Sequence, residues 1–226
     1  MTTEKLFSFI ENSPTAFHAI EAMRCRLKAE GYQPLLEGSD WDLRAGGKYY
    51  VIRNGSSIIA FRIPAKEWKG FQIMASHSDS PMFKIKENPE MEAEGHYVKL
   101  NVEKYGGMLC APWFDRPLSV AGRLVVKDGE QIVTKLVDVK KDLVMIPSLA
   151  IHMNRDANNG VNFNPQKDLL PLYGDENAKG TFMERMAALA GVARKDILAH
   201  DLYVYSRTPG TVWGASGEYI SCGRLD

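Results

Sequence analysis

The chain lacks any apolar run approaching the roughly 20 residues that a membrane-spanning helix requires. It also lacks a charge excess of either sign: 28 lysines and arginines face 28 aspartates and glutamates. Nucleic-acid binders usually carry a basic surplus, so that class is disfavoured. Basic clusters such as Arg194-Lys195 and Lys140-Lys141 read as solvated surface. Cysteine is scarce, with Cys25, Cys110 and Cys222 forming no CxxC pair and leaving one thiol odd. This argues against a disulfide framework and for reduced thiols in a cytoplasmic protein. Met1-Thr2-Thr3-Glu4-Lys5 leads into an amphipathic stretch rather than a signal peptide. At 45% hydrophobic and 25% charged residues, the composition is that of an ordinary soluble globular protein. The expectation is an intracellular protein with neither membrane nor nucleic acid as partner.

What is present is organised. Ser13-Pro14 predicts a helix start, followed by Phe17, Ile20 and Leu27 at helical spacing and Gly31 as a stop. His18 falls inside this helix, where a histidine ordinarily serves packing or surface. Asn54-Gly55 sits between the β-rich runs 49–53 and 57–61, and both turn residues tolerate positive φ, so 48–63 reads as a hairpin. The run Phe71-Gln72-Ile73-Met74-Ala75 reads as a buried strand. After Pro81 the texture changes. Val98–Val102 alternates like a half-exposed strand, and 122–137 reads as a second hairpin. Residues 154–180 read as one long loop. Thr181-x-x-Glu184 predicts a capping box for a helix ending at Gly191, and 201–205 predicts a further strand.

The chemistry concentrates at Ala75-Ser76-His77-Ser78-Asp79-Ser80-Pro81. Open α/β sheets carry their sites at the carboxyl ends of strands. In extended backbone, residues i and i+2 project to one face. A neutral imidazole suits Zn²⁺, and a neighbouring carboxylate fixes its tautomer. The plainer alternative is a satisfied histidine beside a turn, with Asp79 capping the loop before Pro81. An H-x-D triplet alone leaves both open.

Longer blocks carry more. Ser13–His18, Gly46–Tyr50, Arg53–Ser57, Ala75–Pro81, Trp113–Leu118, Ile146–His152 and Ser221–Asp226 occur in this order, and together they resemble the M18 zinc aminopeptidases, the aspartyl aminopeptidases. The resemblance implies an α/β fold, a zinc-aminopeptidase-type catalytic domain interrupted by an inserted β-rich dimerisation domain. On this chain it implies residues 1–87 as the first part of the catalytic domain, 88–212 as the insertion, and 213–226 as the return. It implies two zinc ions (other divalent metals being possible), with His77 a ligand to one and Asp226 the bridging carboxylate. Asp79 would support His77 in catalysis. His152 would reach the active site of a neighbouring subunit, although Leu149-Ala150-Ile151 before it would otherwise indicate a buried strand histidine. The implied substrates are peptides with an acidic N-terminal residue, and the implied assembly is a homo-oligomer formed through the insertion.

Family members continue well past the bridging aspartate. That continuation supplies a Glu-Glu pair, another Asp ligand, a last His ligand and the acidic-side-chain pocket. None follows Asp226. The expectation is about half of a typical member, inactive by itself. The competing reading from another class is a non-catalytic oligomerisation module, or a truncated or split gene product.

Overall fold

The computed structural model describes residues 2–225, which divide between Ser80 and Pro81 into an N-terminal unit and a β-rich unit. The N-terminal unit begins with helices α1 (Thr2–Glu11) and α2 (Ala16–Ala29). They pair through a small apolar contact around Ile10, Phe17 and Ile20, all buried. The α2 helix starts later than Ser13-Pro14 predicts. Its N-cap is Thr15, whose Oγ1 lies 2.8 Å from His18 Nδ1 instead of bonding a main-chain amide. His18 thus belongs to the helix start. Strands β1 (Gln33–Leu35), β2 (Lys48–Arg53) and β3 (Ser57–Arg62) form one sheet in that order, β1 parallel and β3 antiparallel to β2. The predicted hairpin forms, with Asn54 and Gly55 at φ 53° and 66°. Tyr49, Tyr50 and Val51 on β2 are buried.

The run 71–75 forms no strand. Residues 63–81 are irregular, and Phe71, Ile73 and Met74 are 80%, 81% and 95% exposed. An apolar run becomes a strand only where another strand accepts its amides and carbonyls. Among the described residues none does so.

The β-rich unit is built on a six-stranded antiparallel sheet. Its strands are β4 (Met82–Ala93), β5 (Tyr97–Tyr105), β6 (Leu118–Asp128), β7 (Gln131–Asp138), β8 (Leu172–Asp175) and β9 (Ile197–Ser206), in the order β7-β6-β9-β4-β5-β8. Alternation decides the faces. On β6, Leu118, Val120, Leu124 and Val126 turn inward, and on β9 Leu202 and Val204 do the same. They join Phe83, Ile85, Leu100, Val102 and Ile146 in one apolar core. Helix α3 (Phe182–Ala190) closes it with Phe182 and Met186, both fully buried. Each such side chain contributes about 1.5–3 kcal/mol relative to exposure. Gly122 lets β6 and β9 approach, since a Cβ there would lie 2.0 Å from the Asp201 carbonyl oxygen.

Two details differ from the sequence reading. The boundary expected between residues 87 and 88 falls inside β4, where the register with β5 shifts between Ile85 and Glu90. The polar Glu87-Asn88-Pro89 is thus a bulge in one continuous strand; bulges accommodate proline because they interrupt the ladder. The stretch read as a long loop, 154–180, contains β8 and the buried Leu169 and Leu170. Its polar composition hid a short edge strand. The remaining strands, β10 (Thr211–Trp213) and β11 (Tyr219–Ser221), form a separate antiparallel pair.

Helix α3 ends as predicted at Gly191 in the left-handed conformation. Its start is different. Thr181 makes no capping bond to the helix; its hydroxyl donates to Ala178 O and meets Tyr173 OH. The carboxylate of Glu90 takes the cap's place, accepting Gly180 N at 2.5 Å and Phe182 N at 2.8 Å. No helix among the described residues is long and apolar enough to cross a membrane.

Candidate functional site

His77 and Asp79 do come together at the end of the N-terminal unit. His77 Nδ1 lies 2.8 Å from the Asp79 carbonyl oxygen and 3.3 Å from Asp79 Oδ1. Two oxygens on one side of the ring favour a proton on Nδ1, which leaves the Nε2 lone pair for a metal. Both side chains are accessible, at 57% and 42%. Ser78 Oγ donates to Ser56 O beside the Asn54-Gly55 turn, at 2.9 Å. The hairpin therefore holds the middle of the His-Ser-Asp triplet.

Zinc fits this imidazole but is not enclosed by it. Catalytic zinc sites usually take three protein ligands. No cluster of three or more histidine, cysteine, aspartate or glutamate side chains suited to a metal occurs among the described residues. Asp226, the expected bridging ligand, lies outside the described residues.

His152 lies in the β-rich unit, in a turn instead of a strand, and is exposed. Leu149, Ile151 and Met153 around it are 65%, 47% and 76% exposed. The apolar flank that indicates a buried strand histidine is here an apolar surface loop. Its entry is anchored by Asp115, whose Oδ1 accepts Ser148 N at 2.9 Å, while Asp115 N donates to Ile146 O at 2.9 Å. The main-chain bond from Ser148 holds the Asp115 carboxyl below the usual carboxylate range. Asp115 itself has φ 54°, a conformation uncommon for a residue with a side chain. Two of the sequence blocks, 113–118 and 146–152, are thus bonded to each other.

A third block, 221–226, faces the block 113–118 across a cavity of about 260 Å³ in the β-rich unit, whose lining includes Met82, Trp113, Arg116, Tyr205, Cys222 and Arg224. Arg224, also left-handed at φ 58°, donates from Nη1 to Ser206 O at 2.9 Å and lies over the Tyr205 ring at 5.2 Å. Burial and the bond to Asp138 Oδ1 (2.7 Å) push the Tyr205 hydroxyl up to about 12, so it stays a donor at neutral pH. Burial also raises the Cys222 thiol. The sequence reading gave Arg116 and Arg224 no role. Their signal was their position inside the blocks 113–118 and 221–226.

Comparison with known proteins places this arrangement. A cryo-EM structure of an Ape4–Nbr1 complex is similar with a TM-score of 0.93 at 33% identity, over 98% of this chain and 47% of that one. The structure of Chaetomium thermophilum mApe1 gives 0.88 at 30% identity, over 96% and 53%. The Saccharomyces cerevisiae mApe1 dodecamer gives 0.80 at 26% identity, over 96% and 50%. Among curated proteins, the probable M18 family aminopeptidase 2 of Clostridium acetobutylicum is 42% identical over 99% of this chain and 53% of its own length. The Clostridium novyi protein of the same description is 44% identical over 98% and 53%. The chain therefore spans about half the length of the curated relatives it matches. The profile of one family matches residues 9–226, a span that contains every one of the sequence blocks: the chain belongs to the aminopeptidase I zinc metalloprotease (M18) family.

Proposed function

We propose that this chain forms part of a dinuclear zinc aminopeptidase that removes acidic N-terminal residues from peptides. The observation that carries the reading is the His77 ring, turned by Asp79 so that Nε2 is left for a metal, within a family match covering nearly the whole chain. His77 and Asp226 would be ligands. Zinc, when bound, supplies Lewis acidity toward the scissile carbonyl and lowers the pKa of a bound water.

The chain's own part is to hold and orient. Asp79 keeps the His77 tautomer. Asp115 keeps the entry of the loop on which His152 is presented to a neighbouring subunit, where an imidazolium can stabilise developing negative charge. The β-rich part would be the oligomerising insertion, and the segments around it would belong to one catalytic domain. Three free thiols fit a cytoplasmic setting.

By itself the chain should not turn over substrate, because the described residues assemble no three-ligand site. A second reading, a non-catalytic oligomerisation module, is favoured by the β-rich unit's own complete core.

The test is hydrolysis of aminoacyl-p-nitroanilides of Asp, Glu, Ala and Leu. The purified chain is assayed with Zn²⁺, Mn²⁺ or Co²⁺, alone and mixed with a polypeptide spanning the remaining half of the Clostridium acetobutylicum relative. Chelator-sensitive activity on Asp and Glu substrates is expected only in the mixture, and it should be lost in His77→Ala. In the mixture His152→Phe should lower kcat far more than metal content. Turnover by the chain alone that disappears in His77→Ala would overturn the incomplete-site reading. A mixture that forms a complex yet binds zinc equally with and without His77 would overturn the ligand assignment.

A further inference from the structure

The two edges of the six-stranded sheet are built differently. Strand β8 has four residues, and its register with β5 is broken between Val98 and Lys99. Strand β7 has eight residues and pairs with β6 without a shift from Asp128↔Gln131 to Ala121↔Asp138. Sheet edges are normally protected by shortness, bulges, proline or outward lysine. The β8 edge has the first two protections, whereas β7 has none of them. Its lysine, Lys135, turns toward α3 and donates to Ala190 O at 3.3 Å.

The hydrogen-bond phase of β7 follows from its turn. Gly129 (φ 61°) and Glu130 form a two-residue loop. Such a loop closes on a hydrogen-bonded pair, here Asp128 with Gln131. Bonded pairs then recur at every second residue, through Val133, Lys135 and Val137. The bond from Val139 N to Val120 O (3.0 Å) confirms that phase at the far end. The amides and carbonyls of Ile132, Thr134 and Leu136 therefore point away from β6, and these same three residues have exposed side chains. Ile132 is 69% and Leu136 36% exposed.

We propose that β7 pairs with β7 of a second copy, antiparallel, about a two-fold axis at Thr134. This rests on the reading of the β-rich part as an oligomerising domain and names the edge it uses. An axis at Thr134 puts Thr134 opposite Thr134 and Ile132 opposite the partner's Leu136, with the outward amides of all three in bonding phase. Apolar and Thr–Thr cross-strand pairs of this kind each stabilise antiparallel sheets. Moving the axis to Val133 sets Ile132 opposite Thr134 and Leu136 opposite Glu130. Moving it to Lys135 sets Ile132 opposite Asp138. An axis between two residues puts facing side chains on opposite sides of the sheet. All these registers satisfy two-fold symmetry, but only the Thr134 register pairs the three outward residues Ile132, Thr134 and Leu136 entirely with one another. Its rim sets Glu130 against the partner's Asp138, a like-charge meeting at the surface, so added salt should tighten the dimer.

The experiment is sedimentation velocity on the whole chain, with three variants checked for folding by circular dichroism. Thr134→Pro removes an amide that β6 does not use, so the unit should stay folded and become monomeric. Ile132→Lys should do the same through its side chain. Thr134→Cys in a Cys25→Ser background should give a disulfide-linked dimer under mild oxidation, because opposed residues in a bonded pair lie within disulfide reach. Gln131→Cys, placed opposite Val137, should not. A wild-type chain that stays monomeric at every concentration overturns both this proposal and the oligomerising-domain reading. An oligomer that survives Thr134→Pro and Ile132→Lys, without a Thr134→Cys cross-link, overturns this edge and leaves that reading standing.

Discussion

The stretch 63–80 of the N-terminal unit and the β-rich sheet contain similar side chains in opposite circumstances. Phe71, Ile73 and Met74 are nearly as exposed as in an extended chain, whereas Phe83, Ile85 and Leu100 are 0–1% exposed. Hydrophobicity does not separate them; partners do. The strands of the six-stranded sheet find their neighbours within residues 82–206. The run 71–75 has none among the described residues, and in M18 relatives about half the length lies outside the part this chain matches. Burial is thus a property of what surrounds a run. The β-rich unit carries a self-sufficient core, while the N-terminal unit presents a prepared but uncovered surface.

This contrast is broken most directly by truncating matched aromatics. Phe83, packed edge-on against Trp113 with centroids 4.9 Å apart, should lose about 3–5 kcal/mol on Phe83→Ala. Denaturant titration followed by tryptophan fluorescence would show it. A much smaller loss would mean that the β-rich core is not tight.

The next effect comes from the far face of the same sheet. Arg123 Nε and Nη2 reach Asp201 Oδ2 at 2.9 and 2.8 Å, and Lys84 Nζ reaches Oδ1 at 3.2 Å. Burial would raise the Asp201 carboxyl, but bonds from Arg123 and Lys84 outweigh it and hold it below its ordinary value. A depressed folded-state value means stabilisation that is present above the unfolded value and lost as pH falls through the folded one. Asp201→Asn should therefore cost about 2 kcal/mol at neutral pH, less than a fully buried pair because a quarter of each side chain is exposed. The difference from wild type should shrink below about pH 4. A pH-independent difference between the two melting curves would remove charge from the explanation.

Glu90→Ala should cost about 1 kcal/mol, the usual worth of a helix N-cap. The loss should appear as faster amide exchange at Gly180 and Phe182. Equal exchange in both proteins would show that Thr181 can serve as the cap after all.

The smallest effect sharpens the comparison from the other side. Phe71→Ser should change stability by less than about 0.5 kcal/mol, as for an exposed position, while lowering binding of a hydrophobic dye. A loss approaching that of Phe83→Ala would show the run to be covered in solution.

Much of the molecule was readable in advance, for local reasons. Asn54-Gly55 and Gly129 announce turns through their tolerance of positive φ, and the flanking strands followed. Of the candidate site, the contact between His77 and Asp79 was readable, since two residues of an extended segment share a face without help from elsewhere. What escaped depended on distance. The strand reading of 71–75 supposed a neighbour that periodicity cannot reveal. The break seen near residue 88 was a bulge, because Glu87-Asn88-Pro89 looks the same in a linker and in an interrupted ladder. His152 had an apolar flank suited to a core strand, and only the Asp115–Ser148 bond shows the flank to be an anchored surface loop. Arg224 becomes noticeable only once its backbone strain and its seat over Tyr205 are seen.

The Glu90 cap bears on the order in which this molecule takes shape. A helix with its own cap can begin to wind as soon as its residues exist. The start of α3 instead relies on a carboxylate 92 residues earlier in the chain. That carboxylate is in place only after β4 has bulged and paired with β5. With nine residues, α3 is too short to persist unaided in water. It therefore consolidates late, after the slow, long-range strand closures that dominate such topologies. During synthesis α3 emerges before β9 (Ile197–Ser206), the strand that joins β6 to β4, so both the sheet and its lid wait for Ser206, and the interval before they close is when this chain is most exposed to wrong partners.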